Sequence, residues 1–254
     1  MESIDFSSLT GMQWFWAIMC GIVVGFAKTG ISGMGILVVP VFALIFNGDV
    51  TASAGILLPI LCFADLMAVA YYRRHVEWKY IFPLFPWVAA GVIIAHFIES
   101  KVDPNLLKLA VGLIVIVVLI ISIVREKQKK EIEAGKVISG FTGMSTGIAT
   151  MLANAAGPIM NIYFLMMKLP KKLFVGTGAW FFMLVNFFKV PFRLQSSTIT
   201  MDSFIFDLKL IPAILLGAVL GVITVNKVPE QFFRRAVQVL TFLASAKLIY
   251  SYWS

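Results

Sequence analysis

The chain has 254 residues, 60% of them hydrophobic and only 13% charged, with a mean hydropathy of +0.93. Soluble domains run near half apolar and a quarter charged, so a water-soluble globular fold is excluded and the apolar excess must face lipid. The net charge of +8 does not point to nucleic acid either, because the basic residues sit between long apolar runs and form no stripe interleaved with aromatics.

Glu2 and Asp5 precede the first basic residue, Lys28, and a cleavable signal peptide needs a basic start; an integral protein is expected instead. Ten apolar segments follow. The first five are Met12 to Ala27, Met34 to Phe46, Thr51 to Tyr72, Tyr80 to Ile98 and Asn105 to Val124. Beyond a charged stretch, 125–136, come Val137 to Leu152, Ala155 to Met167, Leu173 to Val190, Phe204 to Val225 and Gln231 to Tyr252. A helix needs about 20 residues to cross roughly 30 Å of hydrocarbon. The third, fourth, fifth, eighth, ninth and tenth segments qualify, the eighth being slightly short. Met34 to Phe46 and Ala155 to Met167 reach only about 20 Å each at 1.5 Å per residue, too little to span. Cys20 and Cys62 lie inside apolar segments with no CxxC spacing and no His partner. They read as buried thiols, and neither a metal nor another cofactor is expected.

Loop charges set the orientation. Arg73, Arg74 and Lys79 follow the third segment, and Arg125, Lys127, Lys129, Lys130 and Lys136 follow the fifth. Lys168, Lys171 and Lys172 precede the eighth, and Lys227, Arg234 and Arg235 precede the tenth. The positive-inside rule makes these loops cytoplasmic and both termini extracytoplasmic. Trp14, Trp16, Trp78 and Trp253 fit the aromatic belts at the two interfaces.

The chain also repeats itself. Pro40 pairs with Pro158, Gly55 with Gly176, Pro86 and Gly91 with Pro212 and Gly217, and Val102, Ala110 and Val111 with Val228, Ala236 and Val237. The offset drifts from about 118 to about 126 residues, as small loop insertions produce. The expected fold is therefore an all-α polytopic membrane protein of two repeats, residues 1–124 and 137–254, joined by a cytoplasmic linker at 125–136. Each repeat is a short broken or re-entrant helical hairpin followed by three transmembrane helices. An odd number of crossings per repeat inverts the second against the first, the arrangement of secondary transporters that bind substrate near the midplane.

In such proteins the site lies at short, Gly-interrupted segments in equivalent places. Here they are Gly25 to Gly35, which holds Lys28, Thr29, Gly30, Ser32, Gly33 and Gly35, and Ala153 to Pro158, which holds Asn154, Ala155 and Gly157. If the flanking short helices re-enter, the two tips meet inside the bilayer. Their backbone N–H groups and helix N-termini would then cradle an anion. The same small residues also serve close helix packing. With a re-entrant hairpin, Lys28 sits near the midplane as an anion ligand; with two spanning helices it is a loop lysine. Asp65 and Asn186 occupy matching repeat positions, and Asn186 shares a helix face with Lys189. Lys189 is either a substrate ligand or a snorkelling side chain near a helix end. Asp65 is either a proton carrier or the partner of a basic residue. His96 reads as interfacial.

At these residues the sequence resembles the sulfite exporter TauE/SafE family. The first half carries a glycine-rich opening, GFAKTGISGMGILVVP from Gly25 to Pro40, and a loop, YYRRHVEWKY from Tyr71 to Tyr80, like that of the family. The second half carries NAAGP from Asn154 to Pro158 and FVGTGAWFFMLVNFFKVP from Phe174 to Pro191. Where many members have a second glycine cluster, this chain has Ala153 to Ala156. The resemblance implies export of a small sulfur-containing oxyanion, sulfite or an organosulfonate, across the bacterial plasma membrane. Alternating access is the expected mechanism, with a small anion and the lipid bilayer as partners and no nucleic acid. A passive anion channel could use the same cradle. An intramembrane serine protease would need Ser32, in Gly30-Ile31-Ser32-Gly33, within reach of a base such as His96.

Overall fold

The structure, a computed structural model, describes residues 9–31, 38–45, 50–101, 113, 116 and 136–250. Ser32, Gly33, Gly35, the linker up to residue 135, Trp253 and all of the fifth segment but residues 113 and 116 lie outside them. The described regular elements are helical, and the chain is an all-α polytopic membrane protein.

Thr10 opens α1 (Gly11–Thr29) with a capping box, its hydroxyl accepting from the Gln13 N–H while the Gln13 carboxamide oxygen accepts from the Thr10 N–H. The helices α2 (Val38–Ile45), α3 (Val50–Tyr72), α4 (Trp78–Ile81) and α5 (Phe85–Ile98) follow, with one 3-10 turn at Glu99–Lys101. Then come α6 (Lys136–Ala153), α7 (Ala156–Met166), α8 (Lys171–Gln195), α9 (Met201–Lys227) and α10 (Glu230–Tyr250). A second capping box, Thr200 with Ser203, starts α9.

Among the described residues four helices are long and apolar enough to cross a membrane: α1, α3 from Gly55 onward, α8 and α9. On α9 both faces are apolar. Phe206, Leu210, Ile214 and Val225 are buried, while Leu216, Val219, Leu220 and Ile223 face outward. An outward apolar face of that extent is stable only against lipid.

Three expected segments differ. Tyr80 to Ile98 is not one spanning helix, because Pro83 and Pro86 cannot donate to the carbonyls of Lys79 and Phe82. The chain turns through 82–84 and leaves α5 only 14 residues long. The eighth segment is longer than its apolar run and continues through Pro191 and Arg193 to Gln195. The tenth forms a 21-residue helix, but Glu230, Arg234 and Arg235 lie in its first turns and keep it out of the apolar set. The short segments are short helices, α2 with 8 residues and α7 with 11.

Two crossings carry small residues at their contacts. In the first, Gly21, Gly25 and Gly30 of α1 lie against Leu210, Ile214 and Gly221 of α9, so the two helices run parallel. In the second, Gly143 and Gly147 of α6 lie against Leu84 and Val88 beside α5, again parallel. A methyl group on Gly25 would strike the Ile214 carbonyl, and one on Gly147 the Val88 carbonyl. Only glycine lets these backbones approach so closely. Between the crossings α3 and α8 lie antiparallel, with Gly55 against Thr198, Asp65 against Asn186 and Gly176 against His75.

The basic helix ends gather at one end of the molecule. The Lys171 backbone N–H donates to Glu230 and its ammonium to the Val228 carbonyl, Arg234 donates to the Leu169 carbonyl, and Asn226 donates to the Tyr71 hydroxyl.

Candidate functional site

Helix α8 presents Phe182, Asn186, Lys189 and Arg193 at successive turns, a spacing that lines one face. Against this stripe pack the C-terminal ends of α1 and α6 and the middle of α3. Asp65 sits on α3 with 0% exposure, and the Lys28 ammonium lies 2.7 Å from its Oδ1 with 15% exposure of the lysine side chain. The Asn186 amide donates to Asp65 Oδ2 at 2.6 Å. One carboxylate thus receives a cation on one oxygen and an amide on the other, and the Phe182 ring lies 4.6 Å from the same ammonium. Of the two roles open to Asp65 in the sequence, partner of a basic residue is the one its contacts describe.

Lys189 is 1% exposed. Its ammonium donates to Asn154 Oδ1 at 2.6 Å and to Thr150 Oγ1 at 3.1 Å. It does not snorkel to a helix end, because these two oxygens hold it inside. Both acceptors are neutral, and among the described residues no carboxylate forms an ion pair with Lys189. A lysine at the centre of a membrane helix costs about 2.5–3.5 kcal/mol by insertion scales, so such a residue is retained for a task.

Asn154 is shaped for this contact. Its φ of +49° places it in the left-handed region, which asparagine tolerates better than most residues. It ends α6 in a left-handed cap, with Asn154 N–H donating to Thr150 O and Ala155 N–H reaching back to Ala149 O. The chain then enters α7, whose N-terminus carries no side-chain cap, so its first N–H groups have no partner within the helix. Gly157 stands there beside open space: a methyl group on it would meet nothing within 4 Å. Asn154 and Gly157 are half-buried, so the site has an opening.

The structure therefore joins Lys28, Asp65 and Asn186 in one group and Lys189, Asn154 and Thr150 in a second, one turn along α8. Thr29 and Gly30 are engaged elsewhere. The Thr29 hydroxyl lies within hydrogen-bonding distance of the Gly25 and Ala218 carbonyls, and Gly30 touches Gly221, both at the α1–α9 crossing. Ala155 is buried in the core beneath the tip. His96 lies against the Phe97 and Phe192 rings. Cys20 and Cys62 are free and buried.

Sequence reasoning missed Arg193 and Glu99. Arg193 is 1% exposed, pairs with Glu99 at 2.7 Å and donates to the Met151 carbonyl. The signal available was spacing, since Arg193 continues the Asn186–Lys189 face by one turn. With all three bases protonated, Lys28, Lys189 and Arg193 would face, among the described residues, the carboxylates of Asp65 and Glu99, a surplus of one positive charge.

The family model for sulfite exporter TauE/SafE matches residues 17–248, nearly the whole chain. The chain belongs to this family. No curated protein and no solved structure matches it. TauE/SafE proteins are membrane exporters, and the half-open cluster around Asn154 is where this TauE/SafE chain brings Lys28, Asp65, Lys189 and Arg193 together.

Proposed function

We propose that this chain is a secondary transporter that exports a small sulfur-containing oxyanion, sulfite or an organosulfonate, from the bacterial cytoplasm by alternating access. The observation that carries the reading is Lys189: a buried ammonium held by two neutral oxygens, beside open space at Gly157 and an uncapped helix N-terminus. An anion seated there gains a charge-assisted bond from Lys189 and backbone donors from α7. Lys28 adds a second positive charge, held in place by Asp65 and Asn186.

The two repeats, 1–124 and 137–254, are inverted in this reading. Reciprocal packing supports it. Gly25 meets Ile214 O while Gly147 meets Val88 O, and Gly217 meets Ile22 O while Gly91 meets Met144 O. Tyr72 donates to the Thr29 carbonyl as Arg193 donates to the Met151 carbonyl. Asp65 and Asn186, matched in the proposed repeat, touch each other, as residues beside a pseudo-two-fold axis would. The basic end of the molecule is cytoplasmic and both termini are outside. A cytoplasm negative by 100 mV drives each negative charge outward with about 2.3 kcal/mol. Export of a dianion therefore needs no ATP.

The test is uptake of labelled sulfite into inverted vesicles. Lys28→Ala, Asn154→Ala and Lys189→Gln are each expected to reduce uptake at least tenfold at normal expression, since a lost charge-assisted bond is worth about 1.5–3 kcal/mol. Unchanged uptake in all three would reject the site. Saturable counterflow in proteoliposomes is expected of a carrier; a conductance that never saturates would replace it with a channel.

A further inference from the structure

The reading above uses Lys28 and Lys189 and leaves the third buried cation without a task. Arg193 lies four residues beyond Lys189 on the same face of α8, about 6 Å along the helix axis. Its side chain is as deeply buried as that of Lys189. Its guanidinium donates to one Glu99 oxygen at 2.7 Å and to the Met151 carbonyl, while its Nε is buried with no acceptor among the described residues. Glu99 stands on the 3-10 turn Glu99–Lys101 and keeps 16% side-chain exposure. A permanent, buried cation is thus satisfied by one oxygen of a carboxylate carried on a short, accessible turn.

We infer that Arg193 is a second anion-binding position, on the outward side of Lys189, which the Glu99 carboxylate fills in this conformation in place of the transported oxyanion. The inference rests on the proposed anion transport and extends it. Guanidinium presents a planar fork of donors that suits oxyanions with several oxygens, and it stays charged at any physiological pH. A sulfite-like ion has three oxygens and could take the donor that Glu99 uses, while the Nε on the other edge of the guanidinium remains a further open donor. Because unpaired charge is costly at this depth, release of Glu99 and arrival of the anion belong to one exchange. The transported ion would pass from Lys189 to Arg193, and the returning Glu99 would expel it outward.

The experiment is equilibrium binding of labelled sulfite to the purified full-length protein in nanodiscs. The wild-type chain is expected to bind about one sulfite and Glu99→Gln about two, because the neutral carboxamide no longer occupies the guanidinium. Glu99→Gln combined with Lys189→Gln is expected to retain the added ion, and Glu99→Gln combined with Arg193→Gln to lose it. Glu99→Asp, whose shorter arm loosens the pair without removing charge, is expected to shift binding in the same direction by less. It covers a Glu99→Gln protein that does not fold. If the wild type binds sulfite and neither Glu99 variant gains binding, Arg193 and Glu99 form a static clamp. The inference is then overturned while the transport reading stands. If no protein in the series binds sulfite, both are overturned.

Discussion

Asp65 holds the centre of the site together. It takes Lys28 on one oxygen and Asn186 on the other, at a depth where water does not reach. Removing one member of a buried pair leaves the other charge uncompensated and costs about 3–5 kcal/mol. Asp65→Ala is therefore expected to lower the unfolding temperature of the purified protein sharply, and Asp65→Asn, which keeps the shape and one acceptor, to lower it less. Unfolding temperatures equal to that of the wild type for both variants would mean that the pair does not hold the fold. At this scale the sequence was informative wherever a polar side chain interrupts an apolar run. Lys28, Asp65, Asn186 and Lys189 all stand out in that way. Arg193 and Glu99 did not, because each sits at the edge of a run, where arginine and glutamate ordinarily mark a loop. Only the packing of α8 against α6 turns them inward. Thr150 and Phe182 were invisible for the opposite reason, since hydroxyls and aromatic rings are ordinary occupants of membrane helices.

At the scale of helices, glycine does two different things in this chain. At Gly25 and Gly147 it lets a helix rest on the backbone of its neighbour, whereas at Gly157 it borders open space. Alanine at Gly25 or Gly147 would gain about 1 kcal/mol of helix propensity but force the crossing apart, and overpacking of that kind costs about 1–3 kcal/mol or more. Gly25→Ala and Gly147→Ala are both expected to lower the unfolding temperature, and by similar amounts because the crossings correspond. Gly157→Ala is expected to leave it unchanged while reducing sulfite uptake, since its methyl group enters the space beside Lys189. A Gly157→Ala protein with full uptake would show that the anion does not approach α7 there. The length of α7 could be read from the sequence because apolar runs report length directly. The division of the fourth segment was written in Pro83 and Pro86, but hydropathy alone runs across both. The true end of α8 was hidden because Arg193 stops an apolar count without stopping the helix.

Over the whole molecule, four loops rich in lysine and arginine alternate with loops that are not, and the described basic helix ends do meet on one side. Cys20 and Cys62 are buried, so a membrane-impermeant maleimide finds little background. Lys172→Cys is expected to react only from the cytoplasmic side and Met201→Cys, which is well exposed at the other end of α8 and its loop, only from outside. Reaction of both from one side would overturn the orientation. The proposed inverted repeat rests on a drifting offset of glycines and prolines, and the offset alone could not say which helix lies on which. That depends on backbone contacts made by α1 with α9 and by α5 with α6.

The two broken helix ends are tied down differently. The carbonyl of Thr29 receives a neutral phenol from Tyr72 at 2.9 Å, whereas that of Met151 receives a guanidinium which Glu99 also grips. Charge-assisted bonds are roughly twice as strong as neutral ones. Under the proposed alternating access, one light latch and one heavy latch would not let the protein divide its time evenly between its two openings. Left empty, a protein working in that proposed way would rest with the heavy latch shut and the light one free to yield, facing the compartment from which export loads.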